Sequence, residues 1–167
     1  MYNGIHLKVK GFTLIELVVV IVILGIIAVT AAPRFLDIQR DARIAALKAF
    51  EGAFYAADGI VMSKAMASGL EDSINDTEIP NTGIYVRQGV MTLSAKNIAA
   101  AMDIDGFKII DHGTADMPSV YVAFDNNKIE NGYPSQRCVL FIARGVTTAT
   151  YPKSLLPLNI TLVDEGC

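Results

Sequence analysis

The chain has 167 residues, enough for one domain and not comfortably for two. Hydrophobic residues make up 52%, and most of the excess sits in one block near the N-terminus; the remainder reads as a small mixed globular domain. With 14 basic and 17 acidic residues and a formal charge of -3, the composition makes no general case for nucleic acid, which wants a basic patch or stripe.

The first eleven residues, MYNGIHLKVKG, carry Lys8 and Lys10 and no acid. Phe12 to Ala32 follow as FTLIELVVVIVILGIIAVTAA, in which Thr13, Glu16 and Thr30 are the polar side chains. A bilayer is crossed by about 20 apolar helical residues, so this run predicts a membrane span. The positive-inside rule puts the lysine end in the cytoplasm and exports the rest. The run is too long for the apolar core of a secretory signal, and no small-x-small site clearly ends it. A plain signal anchor would account for this much. It does not account for Glu16. A carboxylate inside a membrane helix costs about 2.5–3.5 kcal/mol on insertion scales, and no Lys or Arg lies within the run. Cutting between Gly11 and Phe12 creates a cation: the new amine of Phe12, one helical turn from Glu16. The pair can meet within one subunit or set axial register between neighbours. Gly11 is small and conformationally permissive, which suits the approach of a protease at the membrane boundary.

The stretch KGFTLIELVVVIVILGIIAVTAAPRF resembles the leader junction and first helix of type IVa prepilins. The resemblance implies an α+β fold, with a long N-terminal helix packed on a small antiparallel sheet. It implies a class III leader over residues 1–11, cleavage after Gly11 by a prepilin peptidase, methylation of Phe12, and a need for Glu16 in assembly. It further implies a single-pass inner-membrane precursor with a periplasmic head. That precursor becomes an extracellular homopolymer of pilin subunits through a cytoplasmic motor and an inner-membrane platform. Type II secretion pseudopilins share the motif, so it identifies the superfamily and leaves the member open.

Residues 12–33 form the membrane or filament-core segment. Pro33 removes the helical bond to the carbonyl of residue 29. The helical pattern resumes at once, so a kink or local melting is expected there, with Gly25 loosening the same region. Residues 34–68 read as an amphipathic helix of the head. Phe35, Ile38, Ala42, Ala46, Phe50, Ala53, Ala57 and Ile60 step by three or four, and Leu36, Leu47, Phe54 and Val61 make a second row. The mixed charges, among them Arg43, Glu51, Asp58 and Lys64, read as a solvated face. Gly69 is placed to cap the helix.

Residues 69–167 form the head. Gly69 to Gly83 is rich in Asp, Asn, Ser, Pro and Gly and reads as a connecting loop; in pilins this connection is exposed and variable, which makes it a candidate for recognition. Ser94 is placed to cap a short helix over 95–102. Strands are expected at Ile84–Arg87, Phe107–Ile110, Val120–Phe124, Val139–Ala143 and Asn159–Val163, and an antiparallel sheet over the helix buries one face of each. Cys138 and Cys167 are the two cysteines, and Cys167 is the last residue. In an exported chain their pairing closes the C-terminal region and ties down its end.

Asp103–Gly106 (DIDG) and Asp125–Gly132 (DNNKIENG) lack the spacing of a calcium loop and read as turns. His112 beside Asp111 makes neither a triad nor a metal cluster, so the chain is read as a non-enzyme without cofactor or metal. Three longer segments, APRFLDIQRDARIAALKAFEGAFYAA, VMSKAM and NGYPS, are similar to the mannose-sensitive haemagglutinin pilins. That similarity implies cell adhesion and surface attachment, with a surface or glycan receptor as partner. The alternatives are a type II secretion pseudopilin and a DNA-uptake or minor pilin. Without Lys8 and Lys10 the charge becomes 12 − 17 = -5, which does not favour DNA.

Overall fold

The computed structural model describes residues 11–145 and 155–167, and the chain divides into two units, one ending at Arg40 and one running from Asp41 to Cys167. One helix, α1 (Leu14–Ala67), contributes to both. In the first unit α1 is exposed from Leu14 to Thr30, and Leu14–Ala31 is long and apolar enough to cross a membrane. Among the described residues of this unit, nothing covers its valines, leucines and isoleucines. The helix continues through Gly25 and Pro33, although a proline nitrogen has no hydrogen to give the carbonyl one turn back. Thr30, the polar residue of this stretch nearest the proline, donates its hydroxyl to the carbonyl of Ile27 at 3.0 Å, a bond that removes its need for water.

In the second unit α1 buries Leu47, Phe50, Phe54, Ala57, Val61 and Ala65. Their spacing of three or four residues is one face of a 3.6-residue helix. Each large side chain removed from water contributes about 1.5–3 kcal/mol. The buried face merges members of the two rows expected from the sequence, and Ala53 and Ile60 fall outside it and are exposed. The helix stops at Gly69, whose φ of +68° is strained for a residue with a Cβ. Gly69 N donates to Met66 O and Leu70 N to Ala65 O, both at 3.0 Å. These paired bonds satisfy two of the last carbonyls and turn Leu70 onto the core.

The chain then forms two sheets joined by a short helix. Strands β1 (Thr77–Glu78), β2 (Tyr85–Arg87) and β3 (Val90–Met91) make a small antiparallel sheet. Helix α2 (Ala95–Ala101) follows, with the Ser94 hydroxyl accepting from Asn97 N. The main sheet has the order β4-β5-β8-β9, from β4 (Phe107–Gly113), β5 (Pro118–Phe124), β8 (Val139–Ala143) and β9 (Asn159–Val163). A hairpin of β6 (Ile129–Glu130) and β7 (Tyr133–Pro134) intervenes. It turns at Asn131 and Gly132, with φ of 52° and 81°, the left-handed pair that a two-residue hairpin requires.

The register decides which face is core. Ile109, Val122, Leu140 and Leu162 lie in one row across the sheet, and Val120, Ile142 and Ile160 in the next. These rows pack with the buried stripe of α1. The alternate rows, Ile110–Tyr121–Phe141–Thr161 and His112–Ser119–Ala143–Asn159, take the opposite face, since side chains alternate along a strand. The architecture is therefore α+β, a long N-terminal helix followed by antiparallel sheets.

Candidate assembly and processing site

Gly11, Phe12 and Thr13 precede the helix without regular secondary structure and are exposed; the rest of the expected leader, with Lys8 and Lys10, lies outside the described residues. Helix α1 begins at Leu14, which makes Thr13 its N-cap and Glu16 its third residue. The Thr13 backbone N–H and hydroxyl both donate to Glu16 Oε2 at 2.8 Å, and Glu16 N–H donates back to Thr13 Oγ1 at 3.3 Å. This is a capping box, in which two groups otherwise left orphaned at a helix start satisfy each other. The signal was present as Thr-Leu-Ile-Glu before the apolar run, but the reading of Glu16 as a carboxylate in search of a cation passed over it. The two readings are compatible. Both Thr13 bonds fall on Oε2, and among the described residues Oε1 accepts none. Gly11 is exposed, and among the described residues nothing lies within 4 Å of where a Cβ on it would stand.

The head holds its own polar anchors. Asp58, expected on the solvated face, instead meets the guanidinium of Arg144 in a two-pronged ion pair, Nη1 to Oδ1 at 3.2 Å and Nη2 to Oδ2 at 2.5 Å. Their side chains are 14% and 9% exposed, so solvent screens the pair little. Arg144 Nη1 also donates to Met91 O at 3.4 Å. The clue in the sequence was that Asp58 adjoins Ala57 and follows Phe54 by four, at the border of the apolar stripe. Asn97 is 2% exposed and substitutes for a strand: its Oδ1 accepts from Tyr85 N at 3.0 Å, and its amide donates to the carbonyls of Tyr85 and Thr92, each at 2.9 Å. Asn127, from the DNNKIENG segment, is buried and bonds the backbone of Gln136 through both ends of its amide. That places Cys138, two residues on, against the core. Cys138 and Cys167 form a disulfide with Cα atoms 4.7 Å apart, and Gly166 N donates to Arg137 O at 2.8 Å beside it.

Asp103 accepts from Asp105 N at 3.0 Å, a local turn. The segment from Gly69 to Gly83 is more ordered than a plain connecting loop: it contains β1, buries Ile79, and is pinned by Arg87 to Asp76 at 2.8 Å. His112 stands among Tyr121, Tyr133 and Phe141 on the outer sheet face, with ring centroids 5.0–6.4 Å away. Beside it a groove of about 840 Å³ opens over Ser119, Phe141 and Asn159. Its described lining contains no Asp, Glu, Lys or Arg.

Residues 7–32 match the family described as the prokaryotic N-terminal methylation motif. The chain is 31% identical over 115 residues to the fimbrial protein EcpC of Eikenella corrodens, covering 64% of this chain and 75% of that protein. It is 44% identical over 59 residues to the type IV narrow pilus major component PilA5 of Thermus thermophilus, covering 35% of this chain and 51% of that protein. It therefore spans about half the length of the Thermus relative and three quarters of the Eikenella one. No solved structure matches the chain. With the methylation motif at its apolar helix and three quarters of a fimbrial protein matched, the chain belongs to the type IV pilin family.

Proposed function

We propose that the chain is the precursor of a structural subunit of a type IV pilus, held in the inner membrane by Leu14–Ala31 with its head in the periplasm and then polymerised outside the cell. The observation that carries this reading is an apolar helix with no cover among the described residues, opened by a glycine, a phenylalanine and one carboxylate. A prepilin peptidase cuts after Gly11, and the amine of Phe12 is freed and methylated. The capping box holds Glu16 Oε2, and Oε1 receives the amine of a neighbouring subunit. The two charges then offset one another in an apolar filament core, where an unpaired carboxylate is costly. Gly25 and Pro33 let the helix bend or melt as heads pack. A cytoplasmic motor and a membrane platform drive the addition. The disulfide-closed head, exposed to the medium, serves attachment to surfaces, and the aromatic groove beside His112, whose described lining holds no Asp, Glu, Lys or Arg, favours a surface or glycan receptor.

Shearing filaments from the native host and sequencing this chain by mass spectrometry tests the proposal. Abundant protein starting at methylated Phe12 is the expected result. Uncut protein starting at Met1 would overturn it, and processed protein confined to the envelope would favour a pseudopilin.

A further inference from the structure

We infer that Asp58 and Arg144 are positioning residues that set the register of α1 on the sheet. The apolar stripe cannot do this alone. Slide the helix by one turn, and Leu47 takes the place of Phe50, Phe50 of Phe54, Phe54 of Ala57, Ala57 of Val61, and Val61 of Ala65. The five inner places are each taken by another apolar residue of the stripe, and the place of Leu47 falls to Ile44 or Arg43. Hydrophobic burial is non-directional and follows area, so neighbouring registers differ through packing fit alone. The ion pair behaves otherwise. Arg144 is fixed in the sheet: it follows β8 directly, its N–H donates to Pro118 O at 3.2 Å, its guanidinium reaches Met91 O, and the residue is 8% exposed. One turn from Asp58 in either direction stand Phe54, Tyr55, Val61 and Met62, none of them an acceptor for a guanidinium fork. A slipped helix therefore strands a buried cation, a penalty that adds to the loss of apolar fit and is independent of how well the core repacks. The contact of Arg43 with the ring of Phe124, 5.8 Å from its centroid, has loose geometry and marks register weakly. The register in turn decides where along the sheet the exposed Tyr55, Ile60, Met62 and Met66 stand. The inference stands whether or not the chain assembles into pili.

The test uses the full chain in detergent micelles with its disulfide intact. Spin labels are attached at Lys64→Cys on the helix and Thr161→Cys on β9, both exposed positions. The parent gives one distance. The double variant Asp58→Leu/Arg144→Met removes both charges and keeps apolar volume, and is expected to melt cooperatively while showing a second distance population, displaced by up to one helical turn, about 5.4 Å. One unchanged distance in the double variant overturns the inference. Should that variant fail to fold, Asp58→Asn, nearly isosteric, is read with the same labels: a second population supports the register role, and a single parental distance overturns it.

Discussion

The C-terminal cross-link gives a stability difference that can be worked out in advance. Cys167→Ser removes the bond at its partly exposed end. Substitution of Cys138, which is fully buried, would add the separate cost of an unpaired hydroxyl in the core. The disulfide spans 29 residues. For a loop of that size the chain-entropy relation gives about 12 cal/mol/K, or ~3.6 kcal/mol at 25 °C, which the unfolded state regains when the bond is lost. Between the sensitivities of small and medium domains, that corresponds to a fall of about 10–18 °C in melting temperature. The apolar helix does not melt in detergent with the head, so the head should be followed by near-ultraviolet circular dichroism of its five tyrosines, the sixth, Tyr2, lying in the expected leader; the chain has no tryptophan. Parent protein in reductant should melt with the variant. A variant melting within about 3 °C of the oxidised parent would mean either that the unfolded head keeps its two ends together without the bond, or that the native bond is strained, and the entropic reasoning would be refuted.

Glu16→Ala should leave cleavage after Gly11 intact, as judged by mass spectrometry, and sharply reduce sheared filaments; normal pilus yield would remove Glu16 from assembly. Phe54→Ala, at the centre of the buried stripe, should cost about 3–5 kcal/mol in denaturant titration, and a loss below about 1 kcal/mol would show that the helix is not held by this face. Asn97→Ala leaves the Tyr85 N–H without its side-chain partner, while the Tyr85 carbonyl keeps the Thr92 donors, and should cost about 1–3 kcal/mol, with faster amide exchange at Tyr85 as its specific mark. Exchange unchanged at Tyr85 would mean that water replaces the asparagine at no cost.

Elements defined by their own composition were readable in the sequence. The strands Val139–Ala143 and Asn159–Val163 and the Ser94 cap follow from β-branched runs and a capping hydroxyl. Phe107–Gly113 and Pro118–Phe124 run past their apolar centres because pairing with a neighbour recruits polar residues such as Asp111, His112 and Ser119 into the ladder. The two-residue strands β1, β3, β6 and β7 carry no period of their own, being made by their partners. Asp58 was misplaced for a related reason: helical spacing locates a face, but the sign of a residue at its edge depends on what the sheet brings opposite. The capping box was local and fully legible, and it was missed because Glu16 already had a stronger long-range reading.

The bare apolar surface of Leu14–Ala31 has a consequence for what drives polymer growth. Lipid tails are as apolar as the leucines and valines of a neighbouring helix, so moving such a helix from bilayer to bundle yields almost no hydrophobic gain. For a subunit exchanging between those two phases, most of this surface is nearly indifferent, and the carboxylate of Glu16 is the group whose solvation changes most. If the chain assembles as proposed, the apolar part of that exchange favours neither phase, so that the direction of growth rests on the charges at Phe12 and Glu16 and on work supplied from outside the helix.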